Sequence, residues 1–167
     1  MKVVVKRAEE LGFSCSSQMF VHALRTVASV NKNILNSRVH YLKTMGFSHG
    51  EVTCVIGKFP TVLQLSEELL GHKMEFLMNE AGCGKIDVVC NPALFTYSME
   101  KRLIPRSIVR KMLMSKGLPV ANKAFASFFQ PSEKDFLEKF VLPFEHDIPG
   151  LGQAYANACA GKTGANK

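Results

Sequence analysis

The sequence contains NKNILNSRVHYL at residues 31–42 and repeats the pattern of this segment as SEELLGHKMEFL at residues 66–77. In both segments a residue suited to capping a helix is followed by apolar residues at helical spacing and by a cation at the eighth position. Each segment leads to a glycine, and four glycines recur at separations of 34, 36 and 35 residues: Gly12, Gly46, Gly82 and Gly117. A period of this length is typical of stacked helical repeats.

A second repeated motif overlaps the first, since PTVLQLSEE at residues 60–68 is matched by PALFTYSME at residues 92–100. Proline favours the first turn of a helix, and serine followed by early glutamate is typical of a helix N-cap. Glycine then ends the repeat as a left-handed C-cap. These signals predict helices over residues 17–29, 31–44, 48–59 (opened by a Ser48–Glu51 capping box) and 66–80, one from Pro105 to about Gly117, and one over 132–140.

The pattern predicts an all-α fold, a curved α-solenoid of stacked helical repeats of about 35 residues. No strand-like alternation with hairpin turn signals occurs anywhere in the sequence. We expect a repeat domain over residues 1–148 and a flexible C-terminal tail over 149–167, because the small residues of that tail offer little to bury. The expected repeats cover residues 11–46, 47–82 and 83–118, followed by a terminal helical element over 119–148.

The composition excludes several classes of protein. No apolar run approaches the roughly 20 residues that a transmembrane helix needs. The five cysteines form no Cys-x-x-Cys pair and the five histidines show no metal-ligand spacing, so we predict no metal site and no cofactor. Gly161-Lys162-Thr163 is similar to the end of a phosphate-binding loop, but position 156 is alanine where that motif needs glycine. We therefore predict no catalytic residues, no enzyme, no small-molecule substrate and no membrane partner.

Residues 98–123 carry most of the net charge of +7, because they hold seven basic residues and one acidic residue. A local excess of this kind favours an anionic partner. Lysine and arginine neutralise phosphates and release condensed counterions, which points to nucleic acid. A solvated helix face is the alternative. The candidates for phosphate contact are Lys101, Arg102, Arg106, Arg110, Lys111 and Lys116.

Arg38 and Lys73 are two further candidates, because they hold the same position in their repeats, inside the apolar stripe. Either they project together into a groove that binds nucleic acid, or their stems cover apolar surface while their charged ends reach solvent. The second interpretation is favoured. Aromatic residues of the repeats lie beside leucine and methionine at helical spacing, so we expect them in the core and not as platforms for bases.

Several features together resemble the mTERF family, the mitochondrial transcription termination factor-like proteins, and most closely its plant branch. The similarity covers roughly residues 11–150. Besides the glycine-ended repeats, it is carried by Phe59-Pro60-x-x-Leu63, Ser66-Glu67-Glu68, Tyr97-Ser98-x-Glu100-Lys101-Arg102, Pro105-Arg106, Ser115-Lys116-Gly117-Leu118 and Ser132-Glu133-Lys134-x-Phe136-Leu137-x-Lys139-Phe140.

The resemblance implies a superhelical array that binds double-stranded DNA or RNA along its groove and catalyses no reaction. It implies regulation of organellar gene expression through transcription termination, transcript maturation or intron splicing, in the mitochondrion or alternatively the chloroplast. The family's recurrent proline and leucine positions are structural. In this sequence they fall on Pro60, Leu63, Leu70, Leu77, Pro92 and Leu113.

Two departures from the family pattern affect this interpretation. Arg25 stands where the first repeat would carry its proline, and the chain begins almost inside a repeat without an organelle-targeting segment. We therefore expect a C-terminal or shortened member of the family. Two other interpretations stay open: a helical scaffold for protein interactions, and a remnant that does not bind nucleic acid by itself.

Overall fold

Capped helices account for most of the chain. The computed structural model describes residues 2–162, and over that range the protein is all-α and contains no strand. The α-helices are α1 (Lys2–Glu10), α2 (Phe20–Ser29), α3 (Lys32–Thr44), α4 (His49–Lys58), α5 (Glu67–Glu75), α6 (Lys85–Cys90), α7 (Ile104–Ser115), α8 (Phe125–Phe129), α9 (Glu133–Phe136) and α10 (Leu151–Cys159). Short 3-10 helices span Pro60–Gln64, Pro92–Thr96, Pro119–Asn122 and Leu142–Phe144, and π-helices span Phe76–Glu80, Met99–Leu103 and Leu137–Val141.

The predicted caps are confirmed. Ser48 opens α4 with a complete capping box, in which the Glu51 N–H donates to the Ser48 hydroxyl at 3.2 Å and the Ser48 N–H donates to the Glu51 carboxylate at 2.7 Å. That backbone bond, with Lys85 nearby, lowers the pKa of Glu51. The side chains of Ser66, Ser98 and Ser132 likewise accept the N–H three residues further on. The four periodic glycines all have a φ between 67° and 89°, the left-handed conformation expected of C-caps.

The chain forms two compact units. The first comprises residues 2–78 and 84–96, and the second comprises residues 79–83 and 97–162. The predicted structural prolines and leucines are buried in their respective units, and Phe76 and Phe95 lie in the core as expected, while Tyr41 and Tyr97 are half-buried. The curved solenoid and the repeat boundaries stay predictions.

The predicted flexible tail over 149–167 is wrong for residues 151–159, which form α10. Leu151, Tyr155 and Ala158 are spaced along one face of this helix and are buried in the second unit, where α10 packs on α7. Small residues let a helix approach its neighbour closely, so an alanine-rich segment can dock with only two large side chains. Residues 163–167, including Thr163 of the phosphate-loop-like string, lie outside the described range.

The predicted helix from Pro105 to about Gly117 is present as α7, with Pro105 in its first turn, but the chain is already helical before the proline. The π-helix Met99–Leu103 continues directly into α7, so Pro105 lies within one uninterrupted helical segment. The Leu103 N–H bonds the Ser98 carbonyl five residues back at 3.0 Å. Proline has no N–H and its ring would clash with the carbonyl four residues earlier, so widening the preceding turn accommodates it. The π-turn also adds one residue to the helix, which shifts every later side chain by one position.

Candidate nucleic-acid interface

The six candidate cations of the second unit separate by residue type. The arginines are held against protein groups, whereas the lysines extend into solvent. Lysine and arginine contribute the same charge to a sequence pattern, so this separation was invisible before the structure. It determines which of the six can reach a phosphate.

Arg106 is fully buried, and its predicted contact with phosphate is wrong. One of its terminal nitrogens donates to the carbonyls of Phe128 at 3.3 Å, Phe129 at 3.1 Å and Pro131 at 2.8 Å. Its other terminal nitrogen lies 3.4 Å from a carboxylate oxygen of Glu133, and the guanidinium stacks 4.4 Å from the centre of the Phe136 ring. Arg106 is thus a structural residue that satisfies the C-terminal carbonyls of α8.

The other two arginines are half-buried. Arg110 donates to the carbonyl of Ala81 at 3.3 Å and lies 5.3 Å from the Phe125 ring centre, so it too serves the fold. The guanidinium of Arg102 lies 4.7 Å over the Tyr97 ring and makes no hydrogen bond or ion pair with the described residues. Stacking on tyrosine leaves the edge of a guanidinium available. Arg102 therefore remains a candidate for phosphate contact, and Arg110 does not.

Lys101, Lys111 and Lys116 are exposed, and their side chains make no hydrogen bond or ion pair to any residue of the described range. Lys101 lies in the π-helix Met99–Leu103, Lys111 on α7 and Lys116 at the C-cap of α7, so one helical segment carries all three. The neighbouring carboxylate, Glu100, accepts a bond from the Ser98 hydroxyl at 3.2 Å. We call Lys101, Lys111 and Lys116 the lysine face.

The two candidates of the first unit are engaged within it. Lys73 is 5% exposed and donates to the carbonyl of Phe95 at 2.6 Å. Its ammonium group therefore projects neither into a groove nor into solvent, and both expectations for it are wrong. Arg38 pairs with a Glu67 carboxylate oxygen at 2.9 Å, and the Ser37 hydroxyl bonds the same carboxylate. With its charge balanced by Glu67, Arg38 has little free charge for a nucleic acid.

Lys73 and Arg106 are counterparts, a relation that the sequence conceals. Counting from the capping serines, Lys73 follows Ser66 by seven residues and Arg106 follows Ser98 by eight. The π-turn at Met99–Leu103 supplies the extra residue. Each cation then bonds a carbonyl 22 residues further along the chain, Lys73 that of Phe95 and Arg106 that of Phe128. Both therefore serve the same structural role.

Sequence reasoning missed a polar network around Glu133. The Tyr155 hydroxyl lies 2.9 and 3.0 Å from the two oxygens of the Glu133 carboxylate, which also faces Arg106. Burial, and then the bond to Glu133, raise the pKa of Tyr155, and burial also raises the pKa of the Cys159 thiol. A phenol and a thiol that stay protonated are donors in a structural network. The sequence places Glu133 next to the capping Ser132, but this pattern gives no indication of the contacts with Tyr155 or Arg106.

Among residues 2–162 no three His, Cys, Asp or Glu side chains are grouped so that they could hold a metal ion. In the same range no helix is long and apolar enough to cross a bilayer. The fold and the lysine face together define an all-α protein of capped, glycine-terminated helices that presents unpaired positive charge on one helical segment.

The family model named mTERF matches residues 16–137, which is more than half of the chain. The protein therefore belongs to the mTERF family. No curated protein and no solved structure matches the chain significantly. Membership in this family indicates a nucleic-acid-binding regulator of organellar gene expression and not an enzyme.

Proposed function

We propose that this protein binds the phosphate backbone of a nucleic acid through the lysine face, assisted by the edge of Arg102. Bound in this way, it regulates organellar gene expression at the level of transcription termination, transcript maturation or intron splicing. The organelle is the mitochondrion or, alternatively, the chloroplast. The observation that carries the proposal is the lysine face itself: three exposed cations on one helical segment, none with a protein partner among the described residues.

Charge and geometry support contact with phosphates. An ammonium group binds phosphate as a point charge and keeps most of its hydration until it does so, which suits exposed lysines. Lys111 and Lys116 are separated by about 7.5 Å along the axis of α7, at about 1.5 Å per residue. Five residues also turn an α-helix by about 140°, so these two lysines leave the helix in different directions, and contact with one strand relies on their long flexible side chains.

The aromatic residues favour recognition of the backbone over recognition of bases. No aromatic side chain of residues 2–162 is fully exposed, and Tyr97, the one beside the lysine face, is half-buried beneath Arg102. Proteins that bind single strands usually offer aromatic platforms on which bases stack. We therefore propose that this part of the chain discriminates little among nucleotide sequences.

The proposal is tested by replacing the three residues of the lysine face with alanine and measuring affinity for labelled DNA and RNA duplexes as a function of salt. For three neutralised phosphates on duplex DNA, the logarithm of affinity should fall against the logarithm of salt concentration with a slope of about −2.7. In the variant, which retains Arg102, the slope should shrink to about −0.9 and the affinity should fall at least about tenfold at low salt. The free energy of unfolding should change by less than about 0.5 kcal/mol per substitution, because the side chains are exposed.

A matched control replaces Lys2, Lys6 and Lys43, which are exposed lysines of the first unit, with alanine. This variant has the same net charge as the first but keeps the lysine face, so its salt dependence should stay near that of the unaltered protein. Equal losses in the two variants would show that attraction is general and not localised. No binding by the unaltered protein would favour a scaffold for protein interactions.

A further inference from the structure

The first unit contains an open groove that the proposed function does not use. It lies between the end of α3 and the exposed side of α5 and has a volume of about 480 Å³. We call it the acidic groove, and its main lining residues are Tyr41, Met45, Glu68, His72, Met74 and Glu75.

The acidic groove has two carboxylates without partners. Glu68 and Glu75 are exposed, lie two turns apart on α5 and make no hydrogen bond or ion pair with the described residues. The adjacent Glu67, by contrast, is paired with Arg38 at 2.9 Å. Met45 is the C-cap of α3, so the negative end of that helix dipole also points to this region. In a chain with a net charge of +7, this groove is locally negative.

The floor of the groove is apolar and aromatic. Met74 is buried, Met45 and Tyr41 are half-buried, and Gly71 of α5 lies directly against the Tyr41 hydroxyl. A Cβ atom at Gly71 would lie 2.6 Å from that oxygen, which is closer than two such atoms can approach. Glycine at this position therefore lets the Tyr41 side chain lie against the helix and keeps the groove open.

We propose that the acidic groove docks a segment of a partner protein in which an arginine or lysine neighbours an apolar residue. The cation lies between Glu68 and Glu75 over the face of Tyr41, where both carboxylates and the ring quadrupole attract it. The apolar neighbour packs on Met45 and Met74, since methionine adapts to irregular partners. Phosphates are repelled by the two carboxylates, so this surface is separate in chemistry from the lysine face.

The test uses a fluorescein-labelled peptide of alternating arginine and leucine, whose binding is followed by fluorescence anisotropy. The comparison peptide replaces each arginine with citrulline, which keeps the shape and removes the charge. We expect the double variant Glu68→Gln, Glu75→Gln to bind the arginine peptide about tenfold more weakly than the unaltered protein, since two partly exposed ion pairs are lost. The matched control Glu9→Gln, Glu10→Gln changes the net charge equally on exposed positions of α1 and should bind normally.

A second variant, Gly71→Ala, tests the groove without changing charge. Alanine favours a helix more than glycine does, which offsets part of the cost of moving the Tyr41 hydroxyl, so this variant should still fold. Its Cβ forces the Tyr41 hydroxyl to move, which alters the aromatic part of the groove, and binding of the arginine peptide should weaken several-fold.

Several outcomes overturn the proposal: no binding by the unaltered protein up to about 1 mM peptide, equal binding of the citrulline peptide, or equal losses in the two double variants. Unchanged binding by Gly71→Ala overturns it as well, since charge alone would then explain the attraction. The variant that lacks the lysine face should still bind the peptide, so failure of this proposal and failure of the proposed function are distinguishable.

Discussion

The two units bury a cation at the same place in their helices but bond it in different ways. In the first unit the ammonium group of Lys73, 5% exposed, donates to the Phe95 carbonyl at the end of the 3-10 helix Pro92–Thr96. In the second unit the guanidinium of Arg106, fully buried, spans the carbonyls that end α8 and also meets Glu133. In both units a cation from an earlier helix satisfies carbonyls at the C-terminal end of a later short helix.

The difference teaches how a buried charge is compensated. A helix C-terminus leaves carbonyls without donors and carries partial negative charge, so a cation there is favourable. An ammonium group converges its donors at one point, whereas a planar guanidinium can serve several acceptors at fixed separations and stack on a ring. Arg106 does both, with Phe136 beneath it. The second unit therefore depends more on its cation than the first unit does.

Replacing Arg106 with methionine should have the largest effect. The substitution leaves three carbonyls without their donor, while the half-exposed Glu133 carboxylate keeps its bond to Tyr155. Each buried acceptor left without a donor costs about 1–3 kcal/mol, so we expect a loss of about 3–5 kcal/mol in all. Urea unfolding followed by circular dichroism measures the change in the free energy of unfolding. Arg106→Lys should recover part of the lost stability, because it restores the charge but not the planar guanidinium that reaches several acceptors. A change below about 1 kcal/mol for Arg106→Met would contradict the structural role.

Replacing Lys73 with methionine should cost less, about 1–3 kcal/mol, because the Phe95 carbonyl loses a buried donor while the apolar stem is retained. The same urea titration measures it. Exposed Lys43 on α3 provides the control, since Lys43→Met removes the same charge from solvent and should change stability by less than about 0.5 kcal/mol. If Lys73→Met destabilised the protein as much as Arg106→Met, the proposed difference between the units would be lost.

Replacing Tyr155 with phenylalanine should cost about 1 kcal/mol at neutral pH, the value of one hydrogen bond to Glu133. The pH dependence is more specific. Because the pKa of Tyr155 is raised in the folded state, its contribution is complete below about pH 10, the ordinary pKa of tyrosine, and is lost as the pH rises above that value. Thermal unfolding of both proteins between about pH 8 and 11 should show a steeper alkaline loss in the unaltered protein. Parallel curves would rule out a buried phenol in this network.

Local signals predicted the capped helices of this fold well. The capping box of Ser48 and the four left-handed glycines are both present, because caps act within a few residues of the chain. The sequence does not reveal segments whose stability depends on distant contacts: it does not predict α1, and it predicts a flexible tail where α10 forms. Alanine-rich sequence carries no sign of the helix on which it packs.

The candidate site was predicted only in part, for a related reason. Sequence places Arg106 and Lys111 in one basic segment, yet one is fully buried and the other is exposed. Helical periodicity places these two residues, five positions apart, on different sides of α7, but it does not say which side is buried. The π-turn before Pro105 has no sequence signature of its own, and it also shifts the count from the Ser98 cap by one residue. The partners of Arg106 lie 22 to 27 residues away, beyond any local pattern.

The bonds of Arg106 also determine when the second unit can be completed as the chain leaves the ribosome. Its carbonyl partners are synthesised from Phe128 onward, and the phenol that meets Glu133 follows only at Tyr155. A chain that lacks residues from 128 onward has none of these carbonyls to offer Arg106, so the cation of α7 can be buried only after the later segments have been made.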